Sequence, residues 1–276
     1  MAKNLNFFKN KIKEAWPDQD DISTEFIFYL KEKLYLSDVS IYVDNYLLSK
    51  DEEDSINKFI LLKKEGVPID YILEKSSFFG NNFYVDSRVL IPRPETELLV
   101  DFINKLNLQS SKIVIDAGTG SGCIGISIAI QNPNIKVYGL DFSKEALVVA
   151  NKNKKSLKVE NFVTVHSNWL SKIKNASCDL IVSNPPYISS EDEHLQDLTH
   201  EPLVALAALN NGLADFETIS SQATLKLVRG GMLAFEHGFN QKSQVSKIMK
   251  KNGFKNIETL KDHQGHPRVT VGILGN

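Results

Sequence analysis

Cysteine is nearly absent from this chain. Its 276 residues include two, Cys123 and Cys178, too few for a disulfide framework, which excludes the small stapled scaffolds of secreted proteins and favours a reducing compartment. Excess charge of one sign is also missing. Thirty-two basic residues stand against 34 acidic ones, a formal net charge of −2, whereas a tight non-specific nucleic-acid binder is normally basic. No window approaches the roughly 18 consecutive apolar residues that span a bilayer. The first sixteen residues mix lysine with scattered apolar side chains and lack the continuous apolar stretch and small-residue cleavage site of a secretory signal. Internal repeats and low-complexity tracts are absent, and no metal site is expected. These absences point to a cytoplasmic protein with no membrane anchor. What is present is ordinary for a globular chain: 42% hydrophobic and 24% charged residues, at a length that suggests two domains.

Residues 1–75 read as helical. Leu5, Phe8, Ile12 and Trp16 recur at helical spacing. Asp20 or Asp21 is placed to cap a second helix whose apolar set is Phe26, Phe28, Tyr29, Leu30 and Leu34. Asp38 precedes Ile41, Tyr42, Tyr46 and Leu47 in a third. Asp51 to Asp54 put acids in the first turn of a fourth, where the helix dipole favours them, and Gly66-Val67-Pro68 ends it. This region contains no cysteine or histidine and no catalytic constellation; the expected role is a docking surface for a macromolecular substrate. Residues 76–93 form a linker of a different kind. Phe78 to Val85 read as two short strands joined by a Gly80-Asn81 turn, and Arg88 to Pro94 as an extended segment. Pro94 suits the first position of a helix, with Glu95 and Glu97 in its first turn and Leu98, Leu99, Phe102, Ile103 and Leu106 on its apolar face.

From residue 112 onward strands and helices alternate, which predicts a doubly wound α/β fold with a mostly parallel sheet covered on both faces. Seven strands are predicted, at 112–116, 135–140, 162–166, 178–183, 230–236, 254–260 and 268–273. Helices are predicted near 121–131, 143–156, 213–228 and 240–252. The last two strands have no full helix between them, which predicts an antiparallel hairpin at one edge.

Two strand ends carry the chemistry. Ile113-Val114-Ile115-Asp116 runs into a turn of Gly118, Thr119, Gly120, Ser121 and Gly122, and glycines let a backbone turn sharply beneath a closely approaching ligand. Asp141 ends the next strand, where a carboxylate accepts from ribose hydroxyls. Gly120-x-Gly122-x-x-Gly125 with Asp141 also satisfies a dinucleotide fingerprint, so the glycines alone do not choose between NAD and another adenosine cofactor. Asp116 alone reads equally as a structural or capping acid. Two features together tip the balance. An acid at the first strand end repels pyrophosphate and suits the ammonium of S-adenosylmethionine, and the fourth strand brings Asn-Pro-Pro-Tyr to the same edge, where an amine acceptor would meet a methyl donor. The second strand end is Asn184-Pro185-Pro186-Tyr187. Neither proline has an N–H, so the backbone offers carbonyl acceptors, Asn184 adds an amide oxygen and Tyr187 a flat ring. Acceptors beside a ring suit a planar group that carries an NH2.

These residues, together with Ile91-Pro92-Arg93-Pro94-Glu95-Thr96-Glu97, Glu201-Pro202-Leu203-Val204-Ala205-Leu206, Glu236-His237-Gly238 and the Asp262/Gly265/Arg268 spacing, resemble the release factor glutamine methyltransferases over nearly the whole chain. The resemblance implies a class I, Rossmann-like methyltransferase domain over residues 94–276, behind a helical domain (1–75) and a hairpin linker (76–93). It implies methyl transfer from S-adenosylmethionine to the side-chain N5 of the glutamine in the Gly-Gly-Gln loop of class 1 peptide chain release factors. By the same resemblance Asp116, Gly118 to Gly122 and Asp141 hold the cofactor, Trp169 lies against its adenine, and Asn168 accepts from the adenine amine where family members often carry an acid. Asn184 to Tyr187 hold the glutamine, with Asn184, Pro185 and Tyr187 at the reacting centre. By the same resemblance an aromatic residue is expected before Glu201-Pro202, where His200 stands. The rival readings are an exocyclic-amine methyltransferase of DNA or RNA and a non-catalytic binder of a translation factor. The expected partner is a release factor, with no stable nucleic acid and no membrane, and the chain is expected to act as a monomer.

Overall fold

A computed structural model describes residues 3–43, 46–106, 108–109 and 111–275. The chain divides into two compact units, Met1–Lys75 and Ser76–Asn276. The first holds α1 (Leu5–Ala15), α2 (Asp20–Lys33), α3 (Asp38–Tyr42), α4 (Lys50–Lys64) and α5 (Ile69–Leu73). Leu5, Phe8 and Ile12 share the buried face of α1 and meet Phe26, Leu30, Ile56 and Phe59 in one core. Three local expectations are corrected. Asp20 and Asp21 sit inside the first turn of α2, where the dipole favours them; the capping position is Gln19, whose side chain makes no capping bond. Phe28 faces outward on the side of α2 opposite Phe26 and Leu30, and is 46% exposed. The third helix is one short turn, capped by Ser37 and already extended at Val43. Tyr46 and Leu47 therefore lie beyond it, Leu47 bridging to Asn4. The capping of α4 was not foreseen in its detail: Ser49 and Glu52 form a reciprocal capping box.

The second unit opens with a hairpin of β1 (Ser76–Phe78) and β2 (Asn81–Phe83). Its turn is Phe79-Gly80, one residue earlier than expected, with Phe78 paired to Asn81. Both turn residues have positive φ, 46° and 72°, as a two-residue hairpin of the primed type requires. This register puts Phe78 and Phe83 on one buried face, in a core shared with Leu99 and Ile103.

The remaining elements are α6 (Glu97–Lys105), β3 (Ile113–Ala117), α7 (Cys123–Gln131), β4 (Lys136–Asp141), α8 (Lys144–Ser156), β5 (Phe162–His166), β6 (Cys178–Ser183), β7 (Ile188–Ser189), β8 (Ala207–Ala208), α9 (Leu209–Gly212), α10 (Ala214–Lys226), β9 (Leu227–Glu236), α11 (Lys242–Lys251), β10 (Phe254–Lys261) and β11 (Pro267–Leu274). Pro94–Thr96 is a single 3-10 turn with proline at its start, leading into α6. Seven strands form one sheet in the order β10-β11-β9-β6-β3-β4-β5. Only β11 runs against its neighbours, slotted between β9 and β10, so the antiparallel strand lies one in from the edge. Alternation along each strand splits the core in two. Val114, Leu180 and Val182 face α6, α7 and α8, while Ile115, Ile181 and Phe235 face α10 and α11. Cys123 and Cys178 are buried in these layers, and burial pushes each thiol up to about 12. Among the described residues no helix is long and apolar enough to cross a membrane.

Candidate functional site

β3 and β6 are parallel neighbours in the sheet, so their carboxyl ends reach the same edge, beside that of β4. After β3, Gly118, Gly120 and Gly122 take φ of 78°, 53° and 85°, a region that costs other residues about 1–2 kcal/mol each. The turn is tied to β4 from its own backbone. The Gly118 and Thr119 N–H groups donate to the Leu140 carbonyl, each at 2.8 Å, and the Gly120 N–H donates to Asp141 Oδ2 at 2.9 Å. Asp141 Oδ1 accepts from the Ser143 N–H at 2.8 Å, so backbone donors fix the carboxylate at both oxygens.

Asp116 lies behind the glycine turn. It is wholly buried beneath the turn, where Oδ2 accepts from Thr119 Oγ1 at 2.6 Å and from the Gly125 N–H at 2.9 Å. Oδ1 has no partner, and burial pushes the carboxyl up to about 6. The residue braces the glycine turn from behind and is not on the cavity wall. Thr119 and Ser121 are also buried, shaping the turn without lining the cavity.

A cavity of about 370 Å³ opens at this edge, walled by Gly118, Gly120, Asp141, Asn168, Trp169 and Asn184 among others. Trp169 has φ of 45°, and its ring lies so close to Gly118 that a Cβ there would come within 3.1 Å of it. Asp215 lines the same cavity, and burial pushes its carboxyl up. Two chain segments close the remaining wall, Arg88 to Leu90 on one side and Pro202, Val204 and Ala205 on the other. Glu201 ties them together: it accepts from the Ile91 N–H at 3.0 Å and from the Arg93 guanidinium. Arg88 is itself held by Asp86, and that guanidinium keeps the Asp86 carboxyl down at about 2.

The end of β6 walls both this cavity and a smaller one. Pro186 lines the large cavity, Pro185 and Tyr187 line a space of about 100 Å³, and Asn184 lines both. The Asn184 Nδ2 donates to Thr96 Oγ1 at 3.2 Å. Tyr187 is pinned through its carbonyl, which accepts from Gln241 Nε2 at 2.9 Å. Gly212 presses against the same carbonyl: a Cβ there would meet the oxygen at 2.1 Å, so no larger residue fits. Burial pushes the Tyr187 phenol well above its usual range. At the end of β9, Glu236 is buried and its carboxyl is pushed up to about 7. His237 beside it is buried and held below its usual value, its Nδ1 paired with the Gly238 carbonyl and its Nε2 with Thr270.

Gly118, Gly120, Asp141, Asn168, Trp169 and Asn184 to Tyr187 thus meet at one sheet edge. Phe142, Ser143 and Asp215 also line the large cavity and were not singled out in the sequence. For the first two a signal existed: Ser143 caps α8, its side chain accepting from the Ala146 N–H, and a serine two residues after a strand-ending acid marks that junction. Asp215 offers no such signal.

Residues 94–267 match the family model "Methyltransferase small domain". A crystal structure of a methyltransferase from Pyrococcus furiosus superposes with a TM-score of 0.54, covering 83% of this chain and 100% of that one at 16% identity; at that identity it speaks to the fold alone. Among curated relatives, the release factor glutamine methyltransferase of Coxiella burnetii is 36% identical over 83% of this chain and 83% of its own length. That of Buchnera aphidicola is 35% identical over 98% of each. Identity of this level over most of both chains means that the chain belongs to the release factor glutamine methyltransferases.

Proposed function

We propose that this enzyme transfers a methyl group from S-adenosylmethionine to the side-chain N5 of the glutamine in the Gly-Gly-Gln loop of a class 1 peptide chain release factor. The observation that carries the reading is Asn184, whose side chain walls both cavities while its NH2 is engaged by Thr96. Its oxygen is then the acceptor left for a ligand.

The large cavity suits the cofactor. Gly118 leaves room that a Cβ would fill against the Trp169 ring, the Asp141 carboxylate is preset by two backbone donors, and Asn168 offers an amide oxygen. Asp141 would accept from the ribose hydroxyls, Trp169 would lie against the adenine, and Asn168 would accept from its amine. Bound there, S-adenosylmethionine supplies an electrophilic methyl group on a sulfonium.

The chain's own residues prepare the nucleophile. An amide nitrogen is weak because its lone pair is delocalised into the carbonyl, the resonance behind a rotation barrier of about 18–20 kcal/mol. Asn184 Oδ1 and the Pro185 carbonyl accept its two N–H bonds, and Tyr187 holds the amide plane. The nitrogen is aimed and its hydrogens are polarised without prior deprotonation. Orientation of this kind supplies up to roughly 7–11 kcal/mol. The surplus proton becomes acidic after transfer and leaves to solvent. Met1–Lys75 serves as the docking surface for the release factor, and the enzyme acts as a cytoplasmic monomer with no stable nucleic-acid partner.

Labelled cofactor offered in parallel to a release factor, duplex DNA and RNA tests the reading, with peptide mass mapping of the product. The expected result is one added methyl on the Gly-Gly-Gln glutamine. Label in nucleic acid with none in the factor would overturn it.

A further inference from the structure

We propose that Gln241, which lines neither cavity, is a positioning residue for methyl transfer: it holds the donor-free wall after β6 from behind, through the Tyr187 carbonyl. The inference rests on the role given to that wall above.

The wall has a weakness that follows from its chemistry. A loop is ordinarily tied down in part through its backbone N–H groups. Pro185 and Pro186 have none, so the acceptors they present are not fixed by donors of their own. The structure ties the wall on either side instead. Upstream, Ser183 Oγ donates to the Ala117 carbonyl at 2.6 Å, and Asn184 Nδ2 donates to Thr96 Oγ1 at 3.2 Å. Downstream, one peptide unit is held at both ends. The Ile188 N–H donates to the Leu206 carbonyl at 3.0 Å, and the Tyr187 carbonyl accepts from Gln241 Nε2 at 2.9 Å.

Gln241 has a side chain free for this task. It is 8% exposed and stands at the capping position of α11, yet its side chain makes no capping bond. Its main chain serves the helix end: the N–H donates to the Gly238 carbonyl, and the carbonyl accepts from the Val245 N–H. The side chain points elsewhere. Its Oε1 accepts from the Gly238 N–H at 3.0 Å while its Nε2 reaches Tyr187. A backbone N–H only donates and a carbonyl only accepts, so this carboxamide has one allowed orientation. Gly238 is itself held, its carbonyl also paired with His237 Nδ1 at 2.8 Å. Gln241 thus links the end of β9 to the wall.

Gly212 covers the other side of the link. Asn210, Asn211 and Gly212 take φ of 54°, 52° and 79°, a left-handed run that most residues avoid. It brings a bare Cα against the bond. A Cβ on Gly212 would come within 2.1 Å of the Tyr187 oxygen and 2.9 Å of Gln241 Nε2. Two elements therefore fix one carbonyl, and the acceptors just before it keep their aim. A misplacement of about 1 Å at a reacting centre costs about a hundredfold in rate.

The test measures turnover at saturating release factor and cofactor, and S-adenosylmethionine affinity by calorimetry, with the full-length enzyme. Gln241→Glu keeps the shape and sets a carboxylate oxygen against the Tyr187 carbonyl, two acceptors with no hydrogen between them. Its turnover is expected to fall about a hundredfold. Gln241→Met keeps the length and loses both bonds, and a fall of about tenfold is expected. Gly212→Ala displaces the same carbonyl from the opposite side and should lose about tenfold or more. Cofactor affinity should hold within a few-fold in all three. Gln244→Glu, an exposed position on the same helix, should change neither quantity. Turnover within about threefold of wild type in both Gln241 variants overturns the proposal. Cofactor affinity and thermal stability that fall in step with turnover also overturn it, because they mark a general scaffold residue. If Gln241→Glu does not fold, Gln241→Met decides by itself. A wild-type enzyme that methylates no glutamine brings down the functional reading and this inference with it. An active wild type with indifferent Gln241 variants brings down this inference alone, so the two failures are distinct.

Discussion

The ends of β3 and β6 sit on adjacent strands and open onto the same cavity, yet they are built in opposite ways. After β3 the chain removes side chains: three glycines expose backbone, and the N–H groups of Gly118, Thr119 and Gly120 are used up on Leu140 and Asp141. After β6 it removes donors: two prolines strip the backbone of N–H groups, and Asn184 and Tyr187 supply the chemistry. The first end makes room and fixes a carboxylate. The second makes a wall of acceptors. Any ligand that needs close backbone approach can use the first kind of turn, which is why its sequence signal fits both NAD and S-adenosylmethionine. The second kind suits few ligands, so it is the more specific signal.

Substitutions that separate the two ends test this division. Asn184→Ala should produce the largest effect, a loss of turnover of about a hundredfold or more with cofactor affinity within a few-fold, because it removes aim and leaves the cofactor wall standing. Calorimetry with S-adenosylmethionine decides it: a destroyed cofactor site would make Asn184 a scaffold residue. Gly118→Ala should do the reverse. It forces a side chain into a left-handed φ of 78° and to 3.1 Å from the Trp169 ring, and about tenfold weaker cofactor binding is expected from roughly 1.4 kcal/mol of strain. Turnover at saturating cofactor should change little, and a large drop there would blur the division.

The smallest effect should come from behind the first turn. Thr119→Val removes a 2.6 Å hydrogen bond to the buried Asp116, at a cost of about 1–3 kcal/mol in stability. The native carboxyl lies near 6, above the ordinary value of about 4 in the unfolded chain. Its contribution to stability is therefore full below about 4 and lost as pH rises through 6. Thr119 favours the charged form, so denaturation should show a larger loss for the variant at pH 8 than at pH 5. An equal loss at both would mean that the hydroxyl does not act on the carboxylate.

Much of this was legible in the sequence, for physical reasons that differ by region. The central strands β3 and β6 announce themselves as short apolar runs, because a strand covered on both faces must be apolar throughout, whereas β10 at the edge interleaves apolar with polar residues. The hairpin turn was read one residue late, since Gly80-Asn81 matches turn preferences as well as Phe79-Gly80 does; only the burial of Phe78 and Phe83 on one face selects the register. Phe28 reads as core by composition, but its angle around α2 turns it outward. Tyr46 and Leu47 continue an apolar series that the backbone abandons at Val43.

At the site, the residues that touch the cavity from strand ends were visible as motifs. Asp116 was visible as a residue but not in its contacts, because nothing in the strand pattern shows that its carboxylate turns to Thr119 and the Gly125 N–H. Asp215 was invisible because it reaches the cavity from the first turn of α10, far in sequence from either strand end. The segments around Leu90 and Val204 were visible only through family likeness, since their place on the wall depends on the Glu201 link to Ile91 and Arg93. Glu236 and His237 read as a strand end with ordinary polar contacts, and no sequence pattern separates that from a carboxylate with an unpartnered oxygen.

The two buried cysteines have a practical consequence. With their thiols held near 12 and out of reach of solvent, the folded protein offers almost no thiolate to oxidants or alkylating reagents. Cys178 begins the strand that ends in the acceptor wall, and Cys123 begins the helix behind the glycine turn. A thiol reagent therefore reacts only with molecules in which one of these elements has opened, and the rate of labelling at each sulfur reports how often that side of the site comes apart.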